Sequence, residues 1–254
     1  MKGNALRDRV AIITGAGQGI GRSFALAFGN EGATVVIAER NVDSATDVAA
    51  EIIQAGGQAL AIATDVADAA SVAAMVEQVD SAFGRIDVLI NNAAIFSTLE
   101  MRPFDEIPLA EWEAVLRVNV TGPFLCSRAV LPAMRRKQWG RIINIGSAAV
   151  AMGRPNYLHY IASKGAIAAM AGAMARELGS DGITVNSILP GATFTEIERK
   201  TVSPEQKKAI IGMQCISRAQ GPDDLTGAAL FLASESAGFI TGQNLSVDGG
   251  ATHR

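Results

Sequence analysis

Seven short apolar runs, at 10–14, 34–38, 59–64, 86–90, 142–145, 183–189 and 244–247, recur along the chain with helical patterns between them. Runs rich in Val, Ile and Leu suit strands buried on both faces of a sheet. Parallel strands need long crossover connections, and the intervening stretches supply them as helices. Helical patterns fall at 42–55, closed by Gly56-Gly57, at 69–83, closed by Gly84, at 111–137, where Pro123 predicts an irregularity, at 157–178, and at 223–232. The pattern predicts an α/β fold, a single Rossmann-like doubly wound parallel sheet of about seven strands with helices on both faces. No linker, low-complexity tract or repeat interrupts it, so residues 1–254 read as one domain. Hydrophobic residues make up 49% of the chain and charged residues 19%, enough to fill such a core.

Ligands of open parallel sheets bind at the carboxyl ends of the strands. Polar residues and glycines gather at those ends here: Gly15, Glu39, Asp65, Asn91, Ser147 and Pro190. After the first run comes the turn Gly15-Ala16-Gly17-Gln18-Gly19-Ile20-Gly21, and then the helical pattern Phe24, Ala27, Phe28. The spacing G-x-G-x-x-G fails, because Ile20 or Arg22 would occupy the third glycine; Thr-Gly-x-x-x-Gly-x-Gly fits, through Thr14, Gly15, Gly19 and Gly21. A helix N-terminus presents free N–H groups and a positive dipole end to phosphate, and glycines let the backbone approach it. Glu39 lies 20 residues after Gly19, where an acid binds ribose hydroxyls, repels a 2′-phosphate and favours NAD. Arg40 argues the other way, since it suits a 2′-phosphate and NADP.

Tyr160 and Lys164, four residues apart, share one helix face. A free phenol titrates near ~10, and a neighbouring ammonium lowers that value, so the pair suits general acid/base work. Ser147 lies thirteen residues before Tyr160. The i+4 partner of Tyr157 is Ile161, which excludes Tyr157 from that role, and His159 lies about 100° around the helix as a structural or pocket-edge residue. Cys126 and Cys215 read as buried free thiols, and neither they nor His159 and His253 have metal-ligand spacing. Lys+Arg 22 against Asp+Glu 25 leaves a net charge of −3 without a basic stripe, which argues against nucleic acid as a partner. No apolar segment suits a signal peptide or a membrane span, so a cytoplasmic protein is expected.

Thr14–Gly21, Asp65, Asn91–Ala94, Asn119, Ser147, Tyr160-x-x-x-Lys164, Pro190-Gly191 and the C-terminal Ile240-Thr241-Gly242-Gln243…Val247-Asp248-Gly249-Gly250 together resemble the short-chain dehydrogenase/reductase family over nearly the whole chain. Ala94 stands where that family usually has glycine, and Gly146 where a serine is frequent. The resemblance implies catalytic roles for four residues. Tyr160 is the general acid/base, Lys164 lowers its pKa and holds the nicotinamide ribose, Ser147 binds the substrate oxygen, and Asn119 kinks its helix and supports a water in a proton relay. It also implies that Gly15, Gln18, Gly19, Ile20 and Gly21 cradle the cofactor pyrophosphate. Asp65 and Val66 would flank adenine with Asn92 on the adenosine side, and Pro190, Gly191, Thr193 and Thr195 would face the nicotinamide.

Candidate substrate-pocket residues are Ile95, Phe96, Ala148, Ala149, Met152, Tyr157, Ala192, Thr193 and Phe194, under a lid at about 192–220. They are mostly apolar and include no carboxylate-binding arginine, which predicts a neutral, hydrophobic secondary alcohol or ketone and no metal. Two alternatives stand beside an NAD-dependent alcohol dehydrogenase: an NADPH-dependent 3-oxoacyl (carrier protein) reductase, with Arg135-Arg136-Lys137 as a weak docking patch, and a non-catalytic dinucleotide-binding scaffold. The resemblance further implies a homotetramer, pairing through the helices at 111–137 and 157–178 and through 238–254.

Overall fold

A computed structural model describes residues 4–197 and 203–253. The strands β1 (Val10–Thr14), β2 (Thr34–Glu39), β3 (Gln58–Ala63), β4 (Val88–Asn91), β5 (Gly140–Ile145), β6 (Ile183–Pro190) and β7 (Asn244–Val247) form one seven-stranded sheet in the order β3-β2-β1-β4-β5-β6-β7, all pairs parallel. The fold is the expected doubly wound one.

The run at β1 shows why such strands carry no polar alternation. Ala11 and Ile13 point into one core and Val10 and Ile12 into the other. The first core is covered by α1 (Gly19–Asn30), α2 (Val42–Gln54) and α9 (Asp223–Ala233), through Phe24, Phe28, Val48, Ile52 and Leu232. The second lies under α3 (Ala69–Phe83), α5 (Gly122–Lys137) and α7 (Leu158–Leu178), through Met75, Val79, Val130, Met134 and Leu178. Burial on both faces is therefore met by alternate residues of the same strand.

The stretch at 111–137 is not one helix. It divides into α4 (Leu109–Leu116), a π-helical turn over Arg117–Thr121, and α5. Pro123 sits in the first turn of α5, where a missing N–H costs nothing, and the irregularity belongs to the π turn that holds Asn119. Two further helices appear: α6 (Ala149–Met152) and, inside the expected lid, α8 (Pro204–Gly212). The capping box of α8 is formed by Ser203 and Gln206.

Strand order reverses between β1 and β4, and the crevice opens at their carboxyl ends. The opposite end is tied by Asp87. Its fully buried carboxylate accepts hydrogen bonds from Val10 N at 2.8 Å, from Arg85 Nε and Nη2 at 2.7 Å each, and from Arg9 Nη1 at 3.2 Å. Among the described residues, no helix is long and apolar enough to cross a membrane.

Candidate active site

The glycine turn is held by side chains at the ends of β1 and β4. Thr14 Oγ1 donates to Ile90 O at 3.2 Å and accepts from the Asn92 and Ala93 amides at 3.0 and 3.1 Å. Asn92 Nδ2 donates back to Thr14 O at 3.0 Å and to Gly15 O at 2.9 Å. Gly15 has φ +64°, and a Cβ there would lie 2.7 Å from Ala93 Cα; at Gly21 a Cβ would lie 2.2 Å from Gly15 O. The second contact shows what Gly21 does: it lets α1 pack on the turn, from behind the cavity wall.

The N-terminus of α1 receives an anion from the chain itself. Gly19 N donates to Glu196 Oε1 at 2.7 Å. A carboxylate on this amide is what the dipole and the free N–H groups of a helix start favour, and the same place fits a pyrophosphate. At the end of β2, Glu39 Oε1 accepts from Arg40 N at 2.8 Å and Asn41 N at 3.1 Å, while Oε2 accepts from Gly17 N at 3.3 Å. Both oxygens are thereby held at the β2 end of the crevice. Asp65 Oδ1 is occupied similarly by Ala67 N at 2.9 Å.

A cavity of about 880 Å³ runs from Glu39, Arg40 and Asp65 to Ser147, Tyr160 and Lys164. Its size is at the upper end for small-molecule sites. Lys164 is buried, and its Nζ donates to Ile145 O at 2.7 Å and lies 5.8 Å from the centroid of the Tyr160 ring. Burial pushes its ammonium down to about 8. Phe96 stacks on Tyr160 with centroids 4.4 Å apart and meets Tyr157 at 5.9 Å. Ser147, at the end of β5, accepts from Ala149 N at 3.2 Å. Asn119 is 1% exposed; its Oδ1 accepts from Ile95 N at 2.7 Å and its Nδ2 donates to Ile95 O and Ser163 Oγ at 3.2 and 3.1 Å. It ties the segment after β4 to α7.

Gly15, Gln18, Gly19, Ile20, Glu39, Arg40, Asp65, Val66, Asn92, Phe96, Ser147, Ala149, Met152, Tyr157, Tyr160, Lys164, Pro190, Gly191, Thr193 and Thr195 all line this cavity. Gly21 and Asn119 stand behind its wall. Phe194 does not line it: its ring faces Lys207 Nζ at 4.6 Å, so the pocket assignment is corrected. Cys215 is exposed rather than buried, while burial raises the Cys126 thiol to about 12. His159 is fully buried, with Nε2 3.3 Å from Glu111 Oε1. The arginine missing from the pocket residues is present as Arg154, on the wall beside Met152 and Tyr157. That removes the ground for expecting a strictly neutral substrate. Gln206, Ile210, Met213 and Gln214 line the opposite side; the Ser203-x-x-Gln206 capping signal is what locates that helix in sequence. Residues 198–202 of the expected lid lie outside the described residues. Among the described residues, no group of three or more His, Cys, Asp or Glu is arranged to hold a metal.

The family described as enoyl-(acyl carrier protein) reductase matches residues 15–252. A 3-oxoacyl-[acyl-carrier-protein] reductase from Synechocystis is 40% identical over 250 residues, covering 97% of this chain and 98% of that one. The 7alpha-hydroxysteroid dehydrogenase of Escherichia coli is 37% identical over 245 residues, covering 96% and 94%. Among solved structures, a 3-ketoacyl-(acyl-carrier-protein) reductase from Brucella melitensis complexed with NADH superposes with a TM-score of 0.91 at 36% identity, covering 98% of this chain and all (100%) of that one.

Proposed function

The chain belongs to the short-chain dehydrogenase/reductase family of nicotinamide-dependent oxidoreductases, and from that premise we propose that it is an NAD(H)-dependent dehydrogenase of hydrophobic secondary alcohols and the matching ketones. One observation carries the reading: a buried ammonium lies 5.8 Å from the Tyr160 ring, on the wall of the cavity that also presents Ser147. The nicotinamide, when bound, supplies or accepts the hydride.

The chain's own residues do the rest. Tyr160 holds and releases the proton at its phenol oxygen. Lys164, as an ammonium, favours the phenolate and binds the adjoining ribose. Ser147 donates to the substrate oxygen and stabilises the charge that develops there. Asn119 holds the π turn and the Ile95 backbone in register with α7, and the family resemblance assigns it the support of a relay water. Gly15, Gln18, Gly19, Ile20 and Gly21 serve the pyrophosphate, Asp65, Val66 and Asn92 the adenosine side, and Pro190, Gly191, Thr193 and Thr195 the nicotinamide side. The apolar wall of Phe96, Ala149, Met152 and Tyr157 takes the body of the substrate. Exposed Phe124, Phe231, Phe239 and Leu245 support assembly as a homotetramer.

Glu39 supports NAD, because its fixed carboxylate repels a 2′-phosphate. A second reading, an NADPH-dependent 3-oxoacyl (carrier protein) reductase, is favoured by Arg40 on the same wall and by the activities of the relatives above. Side-by-side titration with NADH and NADPH tests the choice. Tighter NADH binding is expected, and tighter NADPH binding would select the second reading.

A further inference from the structure

Five charged residues among those described line the cavity, and they are unevenly placed. Glu39, Arg40 and Asp65 stand at the adenosine end. At the other end stand Lys164, committed to the Ile145 carbonyl, and Arg154. No described carboxylate lines that end. Among the described residues, the Arg154 guanidinium has no hydrogen-bond or ion-pair partner; it lies over the face of Tyr157, 5.1 Å from the ring centroid.

The backbone beneath Arg154 is fixed. Its amide donates to Ala149 O at 3.3 Å, Gly153 before it has φ +57°, and Asn156 after it has φ +66° and accepts from Arg102 N at 3.1 Å. The side chain is half-buried against a tyrosine that is itself only 3% exposed. That tyrosine meets Phe96, and Phe96 stacks on Tyr160. A cation held on an aromatic shelf beside the reacting end, with its planar fork of donors unspent, is pre-organised for an oxyanion.

We propose that Arg154 is a specificity-determining residue that binds an anionic group, a carboxylate or a phosphate, carried by the substrate at a distance from its reacting carbon. This rests on the hydride-transfer reading for where that carbon sits. The substrate class is then an alcohol or ketone with an apolar body, which packs on Phe96, Met152 and Tyr157, and a charged tail.

The probe is 4-oxo-4-phenylbutanoate against its methyl ester, which replaces the charge by one methyl group on the same body. Calorimetry measures their binding to the NADH-loaded protein, and steady-state kinetics measures their reduction. The acid is expected to bind about tenfold or more tightly than the ester, with the preference in KM rather than kcat. Arg154→Gln brings the acid to the level of the ester, and Arg154→Lys restores part of the difference. A second pair, a phosphorylated and a free hydroxyketone, separates carboxylate from phosphate as the preferred anion. Equal binding of acid and ester, or a preference that survives Arg154→Gln, overturns the assignment and leaves hydride transfer standing. Preferential binding of the acid without reduction by either NADH or NADPH keeps the anion site and removes the hydride-transfer reading instead.

Discussion

The Glu196 carboxylate on Gly19 N makes a quantitative prediction about cofactor affinity. On the proposed cofactor reading, the phosphates of a dinucleotide take the amide that Glu196 Oε1 occupies at 2.7 Å. Binding must therefore break this hydrogen bond and bring two anions to one helix end. A hydrogen bond to a charged acceptor contributes about 1.5–3 kcal/mol when well shielded, and an anion at an exposed helix start about 0.3–1 kcal/mol. Glu196 is exposed, so the lower range applies, and about 1 kcal/mol is expected. Glu196→Ala should thus tighten NADH binding about fivefold, and Glu196→Gln, which keeps an acceptor without the charge, by less. The free protein should lose a little stability in the same variants, because a helix start loses its cap. The signs are opposite because one contact serves the free state alone. Fluorescence titration with NADH at low and high salt reads the first effect, and the gain should shrink as salt rises. Unchanged or weaker NADH binding in Glu196→Ala would refute the reasoning, for Glu196 would then help to hold the cofactor.

Asp87 predicts a change in stability with no change in chemistry. Its replacement by Ala leaves the buried Val10 amide and the Arg85 guanidinium without an acceptor and Arg9 with Glu235 alone, a loss of about 2–3 kcal/mol and roughly 5–10 °C in Tm. Since Asp87 precedes β4 and the crevice follows it, kcat should hold in the folded fraction; a fall in kcat with an unshifted melting curve contradicts this. Lys164 predicts a pH dependence. Burial lowers its pKa to about 8, whereas in the unfolded chain a lysine titrates near ~10.4. Between those values the unfolded state binds the extra proton, so raising the pH through this window favours the native state, by up to about 3 kcal/mol. Urea midpoints of wild type relative to Lys164→Met should diverge from pH 8 to 10, and parallel profiles would show that Lys164 titrates normally.

Much of the architecture is written in short-range pattern. The run at 10–14 is legible because each residue is buried on one face or the other, so no polar residue breaks it. The strand ends were equally legible, because glycines and acids there interrupt apolar runs abruptly. What escaped depends on contacts between distant segments. The resemblance implies the irregularity at Asn119, but no local pattern shows the contacts that hold the π turn: the Asn119 side-chain amide bonds Ile95 and Ser163, neither of which is near in sequence. Phe194 looked like a pocket residue by position, but its backbone amide is fixed to Gln220 O at 2.8 Å and its ring turns to Lys207. Arg154 carries no local signal, because it follows Gly153 in what reads as a plain turn; only the folding of that turn over Tyr157 brings the guanidinium into the cavity. The partner of Gly19 N lies 177 residues away, beyond any local pattern.

The central claim is that Tyr160 moves the proton while the rest of the crevice holds cofactor and substrate. Replacing Tyr160 by Phe removes one oxygen and keeps the stack on Phe96. The decisive measurement is single-turnover reduction of an aryl ketone by this variant, beside its NADH affinity. The account predicts that NADH still binds within a few-fold of wild type while the hydride-transfer rate falls by about 10²–10⁴. Turnover at the wild-type rate in the Phe variant would contradict it, and would place the acid elsewhere in the cavity.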